Sequence, residues 1–559
     1  MSCYFALSFH FWSIIHEKFV KNHKKNDGYN ILFILTDQER ENTWIPSHIK
    51  LPGREILKSK GLEFKNHYTH TSPCSPSRAS IFTGKYIHQH GVSENSSSPK
   101  NTQLSFEELT IGKILRNEGY YTAYKGKWHL QYGSQPDMEK FGFSDWYGND
   151  MSFWGLPNSG TEYDPVITEN AIEWLNIHAS DVNPWFLCVG LVNPHDVMWF
   201  PVDQKWHFEE KPEYTNITKR YLEKRKWGRK NNLPGFSEIV PEYLNKLPIN
   251  FCDNLDTKPS VHQVWMEMMI KHSRPGIINY EDERLWLMQL NYYLHLHILN
   301  DLCLEKILIT LEQNDLWKNT IIIFTSDHGD QCGSHKLRSK GPWNYQETMN
   351  VPLYIVSPEY NGPRETNYLT SHIDLAPTIY NFAKSSRNFD YKFQGNNLID
   401  LLEDQSAAIN DYVYFAQEWP WYPGVEKVRY ASSGFFDGRF KYSRYYGVGG
   451  GVTNMGLEMT GKMEIKRSAP FDLVEHELYD LQEDPFELNN LGHTKSGKKN
   501  LTKKQFKRLN DIENKIGLSA LDLCHSLGSD EVVIMLAKKK GRDLPDPSRW
   551  AYRKASRSS

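Results

Sequence analysis

Three unbroken apolar runs organise the chain. The first, Tyr29 to Leu35, closes on Thr36-Asp37. The second starts at Pro184 and runs through WFLCVGLV into Asn193-Pro194-His195-Asp196. The third starts at Asn319 and runs through TIIIFT into Ser326-Asp327-His328. Each is too short for a buried helix and rich in strand formers, so each predicts a central strand covered on both faces. Between them lie helical patterns, as in Glu107 to Tyr120 and Asp164 to His178, and a long one spans Glu283 to Asn314. Strands alternating with helices predict an α/β fold: a large, mostly parallel sheet flanked by helices. Such sheets carry their sites at the carboxyl ends of strands. Asp37, His195, Asp327 and His328 all fall there, which points to a single site.

The pattern changes twice. From about residue 203 to 282 it degrades into Lys-, Trp-, Pro- and Asn-rich sequence such as KRYLEKRKWGRKNN. This predicts a surface insertion with a solvated face; the alternative is a lid over the substrate or an oligomer contact. After about Ser406, DYVYFAQEW, RYASSGFFDGRFKYSRYYG and HELYDLQEDPFELNNL read as short strands joined by Gly and Asp turns. Helices are expected in roughly the last 60 residues. Gly447 to Thr460 is Gly-rich but lacks a strand–helix phosphate-loop context, so it is expected as a loop. The resulting division is an N-terminal extension (1–28), a main α/β domain (29–409) and a smaller C-terminal α+β subdomain (410–559).

Composition acts mainly by exclusion. There are 65 Lys and Arg against 68 Asp and Glu, and the net charge of −3 gives no general attraction to nucleic acid. Anion recognition must then be local. No stretch reaches the roughly 20 apolar residues of a membrane span. The seven cysteines form no CxxC pair, which favours free thiols and a reducing compartment. The N-terminus MSCYFALSFHFWSII has no early Lys or Arg, carries His10 and lacks a small-x-small cleavage site. A cytoplasmic location is the expectation.

One cysteine stands in an unusual setting: SPCSPSRAS, Ser72 to Ser80, followed by IFTG. CSPSRASIFTG at Cys74 resembles the sulfatase motif, in which C-x-P-S-R directs conversion of the cysteine to formylglycine. GYYTAYKGKWHL, Gly119 to Leu130, resembles the second sulfatase motif, which ends in G-K-W-H. Asp37-Gln38 and Asp327-His328 resemble the family's metal ligands, and LYDLQEDPFELNNL, Leu478 to Leu491, resembles its C-terminal ending. The resemblance runs from about Asn30 to Pro377 and implies the alkaline phosphatase-like fold. The chain departs from the pattern at Pro73, at Lys125, and in having Asp-Gln for Asp-Asp and Asp-His for Asp-Asn. These variants are similar to the choline sulfatase and phosphonate monoester hydrolase branch, which also implies a dimer or tetramer.

The implied chemistry is hydrolysis of a sulfate monoester to alcohol and inorganic sulfate. Anionic oxygens repel a nucleophile, and a divalent cation with fixed Lys and Arg charges neutralises that repulsion. Asp37, Gln38, Asp327, His328 and residue 74 would hold the metal. The family habit favours Ca²⁺, the imidazole tilts toward Mn²⁺, and Mg²⁺ also suits such oxygen ligands. Cys74 would become formylglycine, whose hydrate is a geminal diol. One hydroxyl would attack sulfur, and loss of the second hydroxyl's proton would expel sulfate and restore the aldehyde. Arg78 would steady the diol or sulfate, and Lys127 would bind a sulfate oxygen. His129 would be the base for that collapse; two residues from Lys127, it would share a side with it on an extended segment. His195 would be the acid for the leaving oxygen, since an ordinary imidazole holds a proton near neutrality. Lys340 resembles the family's last active-site lysine, with Lys336 as its rival.

The implied partners are a small-molecule or saccharide sulfate ester and a formylglycine-generating or anaerobic sulfatase-maturating enzyme. An unmodified thiol nucleophile is the alternative for Cys74, and a phosphonate monoester or phosphodiester hydrolase is the alternative activity. A binding protein derived from such a fold would have lost a reacting residue, and none is missing. His88, His90 and Cys332 read as packing or surface residues, and His335 is undecided. Trp154, Trp199 and Trp343 are candidates for a pocket wall.

Overall fold

The computed structural model describes residues 28–99, 101–201, 241–272, 280–360, 362–383, 391–417, 430–446 and 475–492. Residues 1–27 of the N-terminal extension, all of 203–240, the Gly447–Thr460 loop and the expected terminal helices lie outside the described residues.

The three apolar runs are strands, as their composition predicts. β1 is Asn30–Asp37, and β2 (Leu62–Phe64) is a short strand further out. β3 is Tyr121–Gly126, β4 is Trp185–Pro194 and β5 is Thr320–Ser326. β6 (Leu353–Val356) and β7 (Arg364–Thr366) complete a seven-stranded sheet in the order β3-β4-β1-β5-β6-β2-β7. β3, β4, β1 and β5 are mutually parallel, and β6 runs antiparallel to both its neighbours. Every residue of β1, β4 and β5 is buried. Helices cover both faces: Ile31, Phe33 and Leu35 join one apolar cluster, and Leu32 and Ile34 join another on the opposite face.

Helix boundaries are set by local caps. The Glu107 pattern becomes a helix only at Ile111–Asn117, because the Thr110 hydroxyl accepts from the Lys113 amide there. The Asp164 pattern starts earlier, at Ser159–His178, where the Asp196 carboxylate accepts from the Gly160 and Thr161 amides. The long helix is Glu283–Gln313, capped by Asp282.

β8 (Val413–Gln417), β9 (Ala431–Phe436), β10 (Phe440–Tyr446) and β11 (Glu475–Asp480) form a separate antiparallel sheet. In the described part of the insertion, residues 241–249 are exposed or half-buried, as a solvated face would be, and one helix departs from that expectation. Helix Ser260–His272 buries Val261 and Trp265 with Trp343, Tyr345, Tyr445 and Tyr479. His262 bridges the Tyr345 and Tyr445 hydroxyls at 3.1 Å each. This helix joins the two sheets, and its Trp265 is core. No described helix is long and apolar enough to cross a membrane.

The β1 side chains make the sheet's stability dependent on close packing. Phe33 is fully buried and meets Phe82 edge-on at 6.2 Å. Phe33→Ala is expected to cost about 3–5 kcal/mol of unfolding free energy, read from the denaturant midpoint.

Candidate active site

The carboxyl ends of β1, β3, β4 and β5 converge on the start of helix Cys74–Thr83. All ten of that helix's residues are buried, and it stops at Gly84 in a left-handed conformation. Its first-turn serines tie it to two neighbouring loops: Ser75 donates to the His129 carbonyl and Ser77 to the Asp327 carbonyl. Cys74 is thereby fixed beside both metal-type pairs. Its Sγ lies 3.6 Å from Asp37 Oδ1 and 3.3 Å from His328 Nε2.

Arg78, one turn along, is fully buried and reaches three strand ends. Its Nε donates to Asp327 Oδ2 at 2.8 Å, its Nη2 to Asp37 Oδ2 at 3.2 Å and its Nη1 to the Lys127 carbonyl at 2.9 Å. Lys127 Nζ adds an ion pair to Asp37 Oδ2 at 2.6 Å. Burial pushes the Asp37 carboxyl up, but Lys127, then His195, Arg78 and His328, outweigh it and hold it well below its usual range. Burial and the nearby Asp37 push Asp327 the other way. The two carboxylates share Arg78, with Lys127 on Asp37 and the Gln38 and His328 backbone amides on Asp327.

Ligand atoms of Asp37, Cys74, Asp327 and His328 all lie within 4.8 Å of one another, fully buried. His328 Nδ1 is 2.9 Å from the Gly329 carbonyl; donating there leaves the Nε2 lone pair for the cluster. Two carboxylates and an imidazole lone pair fit a divalent cation. Gln38, at φ 71, points its amide oxygen at Lys340 Nζ and its amide nitrogen at Asp330. Burial, then Asp37, pushes the Cys74 thiol up to about 12, which leaves it protonated in this arrangement.

A sulfatase family profile matches residues 29–385, more than half of the chain. The chain belongs to the sulfatase family. This sulfatase is 27% identical over 415 residues to the uncharacterized sulfatase YidJ of Escherichia coli, covering 68% of this chain and 72% of that one. It is 25% identical over 523 residues to an N-acetylglucosamine-6-O-sulfatase of Bacteroides thetaiotaomicron, covering 85% and 84%. Two solved structures share its fold. One, in complex with its substrate D-glucosamine-2-N,6-O-disulfate, has a TM-score of 0.58 at 22% identity, covering 88% of this chain and 98% of that one. The other is a phosphonate monoester hydrolase of Agrobacterium radiobacter, with a TM-score of 0.59 at 19% identity, covering 88% and 95%.

Within the sulfatase site, the remaining candidates fall as follows. Lys340 is buried at Gln38, whereas Lys336 pairs with Glu281 at the surface. His129 does not lie on an extended segment: its φ is 58. The simple alternation expected for Lys127 and His129 therefore fails. Burial and Lys127 push His129 well below its ordinary range. Burial, Lys340 and Lys127 do the same to His195. For His195 burial is the first cause, and it works against the ordinary near-neutral proton affinity expected from the sequence.

His90 bonds Ser80, and His88 stacks on Tyr86. Cys332 packs beside Gln289, away from the cluster, and His335 bonds Asp253 and stacks on Tyr345. Trp199 and Trp343 are buried, while Trp154 is half-buried and stacks on His129. Sequence reasoning missed Asp330, which accepts from Gln38 Nε2, the Cys332 amide and the Ser339 amide. Its only signal was its place three residues after Asp327.

Lys340→Ala is expected to lower kcat on an aryl sulfate by about 10²–10³-fold, through loss of a fixed charge in a buried site. Lys336→Ala is expected to stay within about twofold. Steady-state kinetics on the two variants checks both.

Proposed function

We propose that this sulfatase cleaves a sulfate monoester to an alcohol and inorganic sulfate, using a formylglycine made from Cys74 and one divalent metal, Ca²⁺ first among Ca²⁺, Mn²⁺ and Mg²⁺. The observation that carries the reading is the buried cluster of Asp37, Cys74, Asp327 and His328, ringed by Arg78, Lys127 and Lys340. Asp37, Asp327 and His328 would hold the cation, with Gln38 as a further oxygen ligand once its amide oxygen turns from Lys340, and the cation would supply Lewis-acid stabilisation of charge on the sulfate. Formylglycine supplies a hydrated aldehyde, so that one hydroxyl can take the sulfo group and the other can give up a proton to release it.

The chain's own residues then divide the work. Arg78 holds the two carboxylates together beside position 74 and steadies the diol or sulfate. Lys127 and Lys340 bind sulfate oxygens. A bound sulfate's negative charge raises His195, which then gives its proton to the leaving alkoxide oxygen. His129, kept neutral by burial and Lys127, accepts the proton lost when sulfate departs. The helix start at Cys74 is buried, which restricts water and strengthens each of these charges.

The names of the relatives favour a saccharide hydroxyl as the alcohol: one is an N-acetylglucosamine-6-O-sulfatase and another a Delta 4,5-hexuronate-2-O-sulfatase. A phosphonate monoester hydrolase is the second reading, favoured by the structural likeness to two such enzymes. A maturating enzyme that oxidises Cys74 is the implied partner.

The test compares kcat/KM on aryl sulfates and aryl phosphonates, before and after chelation. The expected result is higher kcat/KM on the sulfate, loss of turnover after dialysis against a chelator, and recovery on adding Ca²⁺ or Mn²⁺. Failure to cleave any sulfate ester with metal present would sink the reading. A higher kcat/KM on the phosphonate would establish the second.

A further inference from the structure

Lys127, His129 and His195 sit beyond the ends of two different strands, yet one short segment touches all three. Asp150 is fully buried. Its Oδ1 accepts from the Trp128 amide at 2.9 Å, and its Oδ2 accepts from the His129 amide and the Trp154 indole, each at 3.0 Å. His129 is held at φ 58, a conformation that costs a non-glycine residue on the order of 1–3 kcal/mol unless its surroundings fix it. The Trp154 indole lies over the His129 imidazole at 5.3 Å and 26°, setting the plane of the ring. The Trp154 carbonyl faces Lys127 Nζ at 3.3 Å.

The next residue, Gly155, has φ 89, and a Cβ there would sit 2.1 Å from His195 Nδ1 and 2.2 Å from its Cε1. The His195 ring therefore lies directly on bare backbone. The Gly155 carbonyl also accepts from the indole of Trp199, the last residue of the turn that His195 begins, at 2.6 Å. No hydrogen bond competes for His195 Nδ1 among the described residues, so steric support is what holds that edge of the ring.

We propose that Asp150 and Gly155 are positioning residues of this site, Asp150 aiming His129 and Gly155 seating His195. The inference rests on the roles of those two histidines in the proposed function. Because the histidines serve different half-reactions, the two positioning residues have separable signatures. Displacing His195 removes the proton donor to the leaving oxygen, which matters most for a poor leaving group. Displacing His129 slows sulfate release, which follows departure of the alcohol and is blind to its identity.

The experiment uses the full-length, matured enzyme and a series of phenyl sulfates whose phenols span a range of acidity. Gly155→Ala is expected to lose about tenfold in kcat/KM on the most acidic phenol and about 10²–10³-fold on the least acidic, steepening the dependence on leaving-group pKa. Asp150→Asn is expected to lose about 10²-fold in kcat on the most acidic phenol and to flatten kcat toward one value across the series, with KM falling in parallel and kcat/KM nearly kept. In a rapid quench, its Cys74 peptide should retain the mass of a sulfo group, a readout independent of turnover. Trp154→Phe removes the indole N–H from Asp150 and puts a smaller ring over His129, and it should give the same split at smaller size, so it reads the His129 arm should Asp150→Asn fail to fold. Thermal unfolding of each variant reports the fold. Uniform losses for Gly155→Ala, or equal losses of kcat and kcat/KM with no retained sulfo group for the other two, would overturn the inference while leaving the proposed function standing. A parent enzyme that cleaves no phenyl sulfate would instead remove the functional reading beneath it.

Discussion

The site depends on one buried guanidinium. Asp37 and Asp327 leave neighbouring strands side by side, and two carboxylates that close in a dry interior repel each other strongly. Arg78 bonds both, and its remaining nitrogen holds the Lys127 carbonyl, so strand ends β1, β3 and β5 are fastened by one side chain. Burying such charges is tolerable only when each is paired and hydrogen-bonded, and removing one partner of a buried pair costs about 3–5 kcal/mol. Arg78 is therefore structural and electrostatic at once. The same constraint brings Asp37 and Asp327 beside Cys74 and His328, with ligand atoms within 4.8 Å of one another.

The sheet delivers this arrangement through register. Thr36 pairs with Ser326 in the parallel β1–β5 ladder, so the following residues, Asp37 and Asp327, emerge together. Helix Cys74–Thr83 then carries the nucleophile position and Arg78 one turn apart, on the side facing both carboxylates. The second sheet is fastened to the same place. Gln417 at the end of β8 accepts from the Ser72 amide and hydroxyl, and its own amide donates to the Trp343 carbonyl. One buried glutamine thus joins the residues ahead of Cys74 to the loop that carries Lys340.

What could be read from the sequence follows from what is local. Apolar runs of strand formers fix β1, β4 and β5, and a strand end places its own last residues, so Asp37, Asp327 and His328 could be grouped before any coordinates. Cys74 and Arg78 share one helical turn, which keeps their relation short-range. What could not be read depends on backbone turns and distant partners. Lys340 and Lys336 lie in one loop of similar composition. Left-handed residues His335, Lys336 and Ser339 turn one lysine inward and the other out. Asp150 and Gly155 meet His129 and His195, twenty-one and forty positions away in opposite directions, and no motif spans them. The insertion misled at one helix because its Trp265 stands among Lys-rich stretches that read as surface, while its burial comes from Tyr445 and Tyr479 some two hundred residues on.

The central claim is that Cys74 serves as a formylglycine. The most direct measurement is mass spectrometry of the Cys74-containing peptide from protein purified from its native host and shown to turn over a sulfate ester. The account predicts an aldehyde in place of the thiol at position 74. An intact thiol on active protein would contradict it and assign the chemistry to the unmodified cysteine.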